Sequence, residues 1–588
     1  MIKQHVFVWD PTPSNSSAVY NYLVKKVNER DLGESIEVYR STYIGLTSGT
    51  PIIRILPKNI IYTKFEQEDL GEIFESIVSD EVVDRFICEY DAKLAPVSER
   101  DKQSKQFKIV LRNVGYLDPE SIEEYISRGG YKALEKAIFE MDPDRVIKEI
   151  KDSGLRGRGG GGFSTGLKWE LTRKEPGAEK FVICNADEGD PGAYMDRAVL
   201  EGDPHTIVEG MAIGAYAVGC KEGFIYVRAE YPLAIERLEK AISDAKKYGL
   251  LGDNILGSEF SFNLELRWGA GAFVCGEETA LMASIEGKRG NPKPRPPFPS
   301  QSGLWKKPSF INNVETWANI PPIVEKGSGW FSSIGVGRSK GTKVFAVTGK
   351  VKDPGLIEVP MGTTFREIVY DLCGGILDNK KFKAVQTGGP SGGVIPEKFI
   401  DMSVDYETLM SIGSMMGSGG LIVMDQSDCM VDVNKFYLQF SVDESCGKCA
   451  PCRIGGKQLL DLISKITDGK GDKKDIQKIK NISNAMQKAS LCALGQTTPN
   501  PVLSAMHYFE EEYMEHISDK KCRTGKCSNL VQYMIIPEKC IGCTACALKC
   551  PVKCISGEKK KPHIIDQKFC IKCGECFNAC KFNAIVRG

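Results

Sequence analysis

Neither sign of charge is in excess in this chain: 77 lysines and arginines stand against 77 aspartates and glutamates, giving a formal net charge of zero and a sequence pI near 6.9. A nucleic-acid binder leaves a basic footprint, so that partner class is not expected. Long apolar runs are missing as well. The longest, around Met211 to Cys220, is about half of the roughly 20 residues a membrane helix needs, so no membrane insertion is expected. The opening residues MIKQHVFVWDP run into a strand-like pattern without the apolar stretch of a secretion signal, and a cytoplasmic protein is expected. Cysteine is scarce before residue 370 and abundant after it, where 17 of the 21 cysteines lie. A disulfide framework suits a short secreted chain, not this length, so metal ligation is the better reading.

With 588 residues the chain has room for several domains, and the pattern reads as an α/β multidomain protein. Residues 1–100 alternate as strands HVFVW, IEVYRS, TPIIRILP and IIYTKF with two helical stretches, an order that suits a thioredoxin-like domain. It holds only Cys88 and so carries no cluster of its own. Residues 105–338 are glycine-rich α/β. Residues 339–425 open with KVFAVTGKV, a DPG turn, LIEVP and a helical TFREIVYDLC, the order of a β-grasp domain. Residues 430–520 show four helical periods, read as a four-helix bundle. Residues 521–535 read as a linker, and residues 536–588 as a compact cysteine-dense tail.

In the tail, Cys540, Cys543, Cys546 and Cys550 are spaced C-x2-C-x2-C-x3-C before Pro551, and Cys570, Cys573, Cys576 and Cys580 repeat the spacing. This is the run of a two-cluster ferredoxin, in which the fourth cysteine serves the other cluster. One [4Fe–4S] cubane is therefore expected on Cys540, Cys543, Cys546 and Cys580, and the other on Cys570, Cys573, Cys576 and Cys550. Zinc sites use paired C-x2-C groups instead. Cys554 is left over as a buried thiol. A third cubane is expected in the bundle, where ESCGKCAPCR supplies Cys446, Cys449 and Cys452. The next cysteine, Cys492 in SLCALG, is expected as the fourth ligand, because a bundle returns a distant helix end beside the loop. Cys522 and Cys527, with His516 before them and Cys429 ahead of the bundle, could complete a tetrahedral structural zinc site.

The stretch SGLRGRGGGGFSTGLKW satisfies G-x-G-x-x-G at Gly157, Gly159 and Gly162. A helical pattern, not a strand, precedes it, so a Rossmann site is the wrong context. Consecutive glycines, here including Gly160 and Gly161, expose main-chain N–H groups that bind anions. Arg158 and Lys168 add charge. Next, FVICNADEGDPG places Asn185, Asp187, Glu188 and Asp190 at the end of a buried strand. Further on lie Phe273, Gly276, Glu277 and Glu278 in GAFVCGEETAL, Phe298 in a proline-rich segment, and Asn312, Asn313 and Thr316 in INNVET. Together they describe one polar, glycine-lined pocket.

These motifs, with ESCGKCAPCR and SLCALGQ, resemble the FMN- and NADH-binding subunit of respiratory complex I. They are closer still to its relatives in cytoplasmic multisubunit [FeFe]-hydrogenases and NAD-linked formate dehydrogenases. The tail points to the hydrogenase-type beta subunit, including electron-bifurcating forms. The resemblance implies an NADH dehydrogenase (diaphorase) subunit that exchanges hydride with NAD(H) and passes single electrons through [4Fe–4S] clusters. It implies that Gly157 to Gly162, Arg158 and Lys168 cradle FMN phosphate. Asn185, Asp187, Glu188, Gly276, Glu277, Asn312 and Asn313 would hold the ribityl chain and ring. Phe163, Asp190, Phe273, Glu278, Arg295 and Phe298 would meet the dinucleotide. No residue is assigned as general acid or base. Implied partners are a hydrogenase-type catalytic iron–sulfur subunit, a small thioredoxin-like [2Fe–2S] subunit, and ferredoxin as carrier. Two departures stand out. Gly161 and Ser164 replace the alanine and proline of the usual GGAGFP, and the N-terminal domain has none of the four cysteines that ligate a [2Fe–2S] cluster in hydrogenase relatives. The alternatives kept open are a formate dehydrogenase diaphorase and a flavin-free electron-transfer scaffold.

Overall fold

The structure, a computed structural model, describes residues 4–9, 18–40, 51–56, 60–63, 65–87, 106–177 and 179–587. Cys88 lies outside the described residues. The chain divides into two compact units, one formed by residues 1–379, 387–389 and 398–423 and the other by 380–386, 390–397 and 424–588.

The first unit begins with strands β1 (Gln4–Trp9), β2 (Ile36–Arg40), β3 (Ile52–Leu56) and β4 (Ile60–Tyr62), in the sheet order β2-β1-β3-β4. β1 runs parallel to β2 and antiparallel to β3. Helix α1 (Ala18–Glu29) buries Val19, Leu23 and Val27, and α2 (Leu70–Ser79) buries Leu70, Ile73, Phe74 and Ile77. Both sets follow the three-to-four-residue spacing that puts apolar side chains on one helix stripe.

The larger part of this unit is built on a parallel sheet. Its strands are β5 (Phe181–Ala186), β6 (Glu222–Arg228), β7 (Asn263–Gly269) and β8 (Ser309–Asn313), ordered β7-β6-β5-β8. All three pairings are parallel, with Phe181 opposite both Glu222 and Ser309. Parallel strands are covered on both faces, which is why FVIC reads as an unbroken apolar run. The apolar stretch around Met211 belongs to helix α6 (Pro204–Val218), which follows α5 (Met195–Gly202) and is buried at every residue but Tyr216. It is a core helix, and among the described residues no helix is long and apolar enough to cross a membrane.

Helix α3 (Pro143–Asp152) starts on an Asp142 cap with proline in its first turn. The glycine stretch follows it directly, and α4 (Thr165–Lys174) follows that, capped by the Ser164 side chain. The crossover from β6 to β7 carries α7 (Pro232–Lys247), and α8 (Glu278–Ile285) precedes β8. A short helix α9 (Val314–Ala318) leaves the end of β8, and β9 (Thr342–Gly349) with β10 (Gly355–Pro360) forms an antiparallel hairpin. A buried ion pair ties these two parts together. Lys343 Nζ donates to Glu315 on α9 and to the carbonyls of Val344 and Ser418, at 2.7 and 2.6 Å, and Glu315 also accepts from Val344 N at 2.9 Å.

The second unit contains the antiparallel pair β11 (Phe382–Thr387) and β12 (Val394–Pro396). After β13 (Gly420–Asp425), whose residues 420–423 run parallel to β9 in the first unit, come the helices. They are α10 (Met430–Asp443), α11 (Gly456–Thr467), α12 (Lys473–Ala489), α13 (Ala493–Thr497), α14 (Asn500–Tyr508) and α15 (Glu510–Met514). The fourth long helix expected over 500–517 is broken at Phe509, whose φ of −128° leaves the helical region. The break lets the Glu512 carboxylate accept from Met430 N at 3.0 Å and pair with Lys383, both within this unit.

The expected linker is also partly ordered. Leu530 and Val531 are buried, and β14 (Tyr533–Ile535) pairs with β17 (Ile585–Arg587), so the tail begins earlier than residue 536. The rest of the tail is α16 (Ala545–Lys549), the pair β15 (Ile555–Ser556) and β16 (Ile564–Ile565), and α17 (Glu575–Ala579).

Replacing Lys343 with Met strands the Glu315 carboxylate in the core. The expected outcome is a loss of about 3–5 kcal/mol in denaturant unfolding. An unchanged midpoint would show that the pair does not hold α9 to the hairpin.

Candidate functional site

In a parallel sheet all strands end at one edge, and ligands of α/β proteins bind in the crevice there. Asn185, Arg228, Gly269 and Asn313 occupy that edge. The glycine stretch lies against it. Gly157 N donates to Phe163 O at 2.8 Å, closing the loop. Arg158 N donates to Thr316 Oγ1 at 2.9 Å. A side chain on Gly159 would bring a Cβ within 2.9 Å of Asn313 Cβ. Gly160 and Gly162 have φ of +120° and +61°, and a Cβ on Gly162 would meet the Tyr406 ring at 2.8 Å. Tyr406 supports the loop from below, its hydroxyl donating to Gly157 O at 2.9 Å with the Arg156 guanidinium 4.2 Å from its ring centre. The main chain at Gly159 and Gly162 thus passes where no side chain fits. It leads into the amino end of α4, where no acidic residue stands in the first turn, a favourable place for a phosphate.

The two cations expected at that phosphate behave differently. Arg158 is fully buried and donates to the carbonyls of Thr342, Arg156 and Lys340, at 3.0, 2.9 and 2.5 Å. It braces the loop from inside, all three guanidinium nitrogens donating to main-chain oxygens. Lys168, in the first turn of α4, is half-buried and donates to Ile311 O at 2.7 Å. Burial pulls its pKa down, against an opposing pull from Glu278.

The acidic residues also divide by use. Asn185 donates to Gly276 O at 2.8 Å and accepts from Asp187 N at 3.1 Å, which fixes the strand-end turn. Asp187 is buried 3.7 Å from the Arg228 guanidinium. Both Glu188 oxygens are taken at 3.1 Å by the Asp196 and Arg197 amides, so this carboxyl caps α5. Burial pushes its pKa up to about 7. Asp190 accepts from Ser418 Oγ, and burial raises its pKa to about 6. Glu277 caps α8, accepting from Thr279 N and Ala280 N at 3.0 Å through one oxygen. Glu278 pairs with Arg295. Asn313 donates to Asp196 and caps α9, and the buried Asn312 amide lies 2.9 Å from the Trp169 indole nitrogen. Phe163 and Phe298 are half exposed, at 50% and 52%, while Phe273 packs on Gly189. The sequence reading missed Asp196, Arg228 and Tyr406. Asp196 lies four residues beyond the FVICNADEGDPG stretch, but nothing in the sequence links Tyr406 to a loop about 250 residues away.

The thiols gather in four groups. Cys446 and Cys449 are half-buried and Cys452 and Cys492 are buried. Ser445 Oγ lies 3.2 Å from Cys452 Sγ. A Cβ on Gly495, three residues after Cys492, would lie 2.9 Å from Cys452 Cβ, so the two segments touch. In the tail one cavity is lined by Cys540, Cys543, Cys546 and Cys580, and a second by Cys550, Cys570, Cys573 and Cys576. Each set fits one cubane with four thiolates, and each set combines three cysteines of one run with the last of the other.

Cys429, His516, Cys522 and Cys527 form the fourth group, all buried, with their ligand atoms within 4.8 Å of one another. Cys429 Sγ lies 3.8 Å from Cys527 Sγ, and His516 Nε2 lies 3.4 and 3.3 Å from these two sulfurs. A tetrahedral zinc with Zn–S near 2.3 Å has S···S edges of about 3.8 Å and S···N edges of about 3.5 Å. His516 Nδ1 donates to Glu512 O at 2.7 Å, which leaves Nε2 as the free lone pair. The donor set therefore fits zinc.

A glycine-lined crevice at parallel strand ends, joined in one chain to thiol groups shaped for cubanes, defines a flavin- and iron–sulfur-binding oxidoreductase subunit. Comparison with known proteins agrees. Residues 150–322 match the Nuo51 FMN-binding domain, 344–395 the SLBB domain, 432–516 the NADH-ubiquinone oxidoreductase-F iron-sulfur binding region, and 532–585 the 4Fe-4S dicluster domain. The chain is 57% identical over 485 residues to the NADP-reducing hydrogenase subunit HndC of Solidesulfovibrio fructosivorans, covering 82% of this chain and 99% of that one. It is 44% identical over 414 residues to an F-type subunit of the NADH-quinone oxidoreductase of Rhizobium meliloti, covering 70% of this chain and 98% of that one. A chain of a NAD+-reducing [NiFe]-hydrogenase crystallised in the H2-reduced state superimposes with a TM-score of 0.63 at 28% identity, over 88% of this chain and 84% of the other. The chain belongs to the family of F-type NADH-quinone oxidoreductase subunits and their hydrogenase counterparts, the FMN- and iron–sulfur-binding NADH dehydrogenase modules of oxidoreductase complexes.

Gly162→Ala forces a side chain into positive φ against the Tyr406 ring. Purified variant protein is expected to lose most of its flavin while keeping its iron. Full flavin occupancy would contradict the close-approach argument.

Proposed function

We propose that this chain oxidises NADH and passes the electrons, through three [4Fe–4S] clusters, to partner subunits of a nicotinamide-linked hydrogenase. The observation that carries this reading is the meeting of the glycine loop with the strand ends, through Arg158 N on Thr316 and Gly159 on Asn313. When bound, FMN supplies a carrier that takes a hydride and gives up electrons singly. The chain's own residues do the holding. The loop from Gly157 to Gly162, with Arg158, Lys168 and the amino end of α4, would cradle the phosphate, the amides of 159–162 serving as donors. Asn185, Asp187, Glu188, Gly276, Glu277, Asn312 and Asn313, at or beside the strand ends, would line the ribityl chain and ring. Phe163, Phe273 and Phe298 offer aromatic faces for the nicotinamide and adenine, and Asp190, Glu278 and Arg295 offer polar groups for the rest of the dinucleotide. The Glu278 carboxylate suits a ribose diol better than a 2′-phosphate, which favours NAD.

Cys446, Cys449, Cys452 and Cys492 would hold a cluster able to accept single electrons from the flavin, and the eight tail cysteines would hold two more that could extend the path. Cys429, His516, Cys522 and Cys527 hold one structural zinc that fastens the segment after the helices. The catalytic hydrogenase chemistry belongs to another chain, since no further cysteine set remains here for it. The resemblance of the sequence motifs to hydrogenase beta subunits supports a further proposal, electron bifurcation with ferredoxin and a small [2Fe–2S] subunit as neighbour.

The direct test is anaerobic addition of NADH to the purified holoprotein. Flavin and cluster absorbance should bleach together, and clusters that stay oxidised would overturn the reading. Cys492→Ser should remove about four irons per chain while NADH–dye turnover persists; unchanged iron would refute the fourth-ligand assignment. Metal analysis should find about one zinc per chain, lost in Cys522→Ser with iron retained. A wild-type protein without zinc would remove that site.

A further inference from the structure

The tail is a repeat with a thirty-residue period that extends beyond its ligands. Cys550-Pro-Val-Lys-Cys554-Ile555 stands over Cys580-Lys-Phe-Asn-Ala584-Ile585. The structure keeps the relation: Ala584 lines the cavity that holds Cys580, and Cys554 lines the cavity that holds Cys550. Two matching cavities thus differ at this corner, with a methyl group in the first and a thiol in the second. His563 against Tyr533, Thr544 against Gly574 and Phe582 against Val552 are further differences, so the role of the corner is isolated by substitution there alone.

Cys554 is only 7% exposed. Its Sγ lies 3.5 Å from Cys550 Sγ, and its main-chain N lies 3.4 Å from the same sulfur. A cluster-bound Cys550 is a thiolate with no proton to give, so the hydrogen bond can run only one way, from the Cys554 thiol. Hydrogen bonds to ligating sulfurs are among the factors that set cluster potentials. Reduction adds negative charge to the cubane and its sulfurs, so a donor stabilises the reduced form more than the oxidised one. The buried neighbours Ile555 and Ile565 keep the local dielectric low and strengthen the effect.

We propose that Cys554 donates its S–H to Cys550 and so raises the reduction potential of the cluster on Cys550, Cys570, Cys573 and Cys576, setting the two tail clusters apart. The proposal rests on the reading that these eight cysteines hold two cubanes. One-electron reduction then proceeds with no proton leaving the thiol.

The test is a redox titration of the holoprotein followed by electron paramagnetic resonance, with iron counted in each sample. Cys554→Ala keeps the main-chain donor and loses the thiol. One tail midpoint should fall by an amount equal to a threefold to tenfold change in the reduced-to-oxidised ratio, about 30 to 60 mV at 59 mV per tenfold, with iron unchanged. Cys554→Ser restores a donor and should recover the wild-type midpoint or exceed it. Ala584→Cys should raise the other tail cluster. Unmoved midpoints in Cys554→Ala with full iron would overturn the proposal. So would the loss of about four irons in that variant, because Cys554 would then be a ligand. A wild-type protein that never assembles the tail clusters would instead refute the reading beneath it.

Discussion

Main-chain amides can line an anion only where no side chain stands between them and the ligand. In this chain that requirement governs residues 157–162. Asn313 on one side and the Tyr406 ring on the other leave no space for a Cβ at Gly159 or Gly162, and positive φ at Gly160 and Gly162 bars ordinary residues from turning the chain there. The other parts of the crevice serve this loop. Arg158 braces it from the core, Thr316 receives its amide, and the Lys343–Glu315 pair fixes the helix that carries Thr316.

This explains which parts of the site were legible in the sequence. A run of glycines flanked by arginines and followed by a helical pattern points to a close approach rather than a flexible linker. Asn185 and Asn313 stand opposite each other at the strand ends, where a polar residue closing an apolar run marks them, and both also make structural hydrogen bonds. The main-chain contacts of Arg158 and Glu188 were not legible. Whether an arginine faces a ligand or a set of carbonyls depends on the chain at 340–342, which no local pattern reports. Tyr406 and Asp196 enter through contacts made only after folding.

The fold was legible to a similar depth. Alternation and helical spacing marked most elements, and the thirty-residue cysteine repeat marked the tail. What spacing did not reveal was the break at Phe509, where a helical pattern runs on through a residue that leaves helical geometry so that Glu512 can reach Met430. Nor did it show that Tyr533–Ile535 joins the tail as a strand, because three residues are too few for a periodic signal. Metal sites were the easiest to read. Thiol ligands must lie within a few ångströms of one centre, so loop spacing and folded geometry are bound to each other more tightly than for any other group here.

The account depends on the amides of the glycine loop being the groups that hold the flavin phosphate. Amide hydrogen exchange of residues 157–162, compared between flavin-depleted and flavin-replete protein, tests this most directly. The account predicts that exchange across the loop and the first turn of the following helix slows markedly when FMN binds, while exchange in the four-strand parallel sheet stays as it was. Bound flavin with loop amides that exchange as fast as before would contradict it.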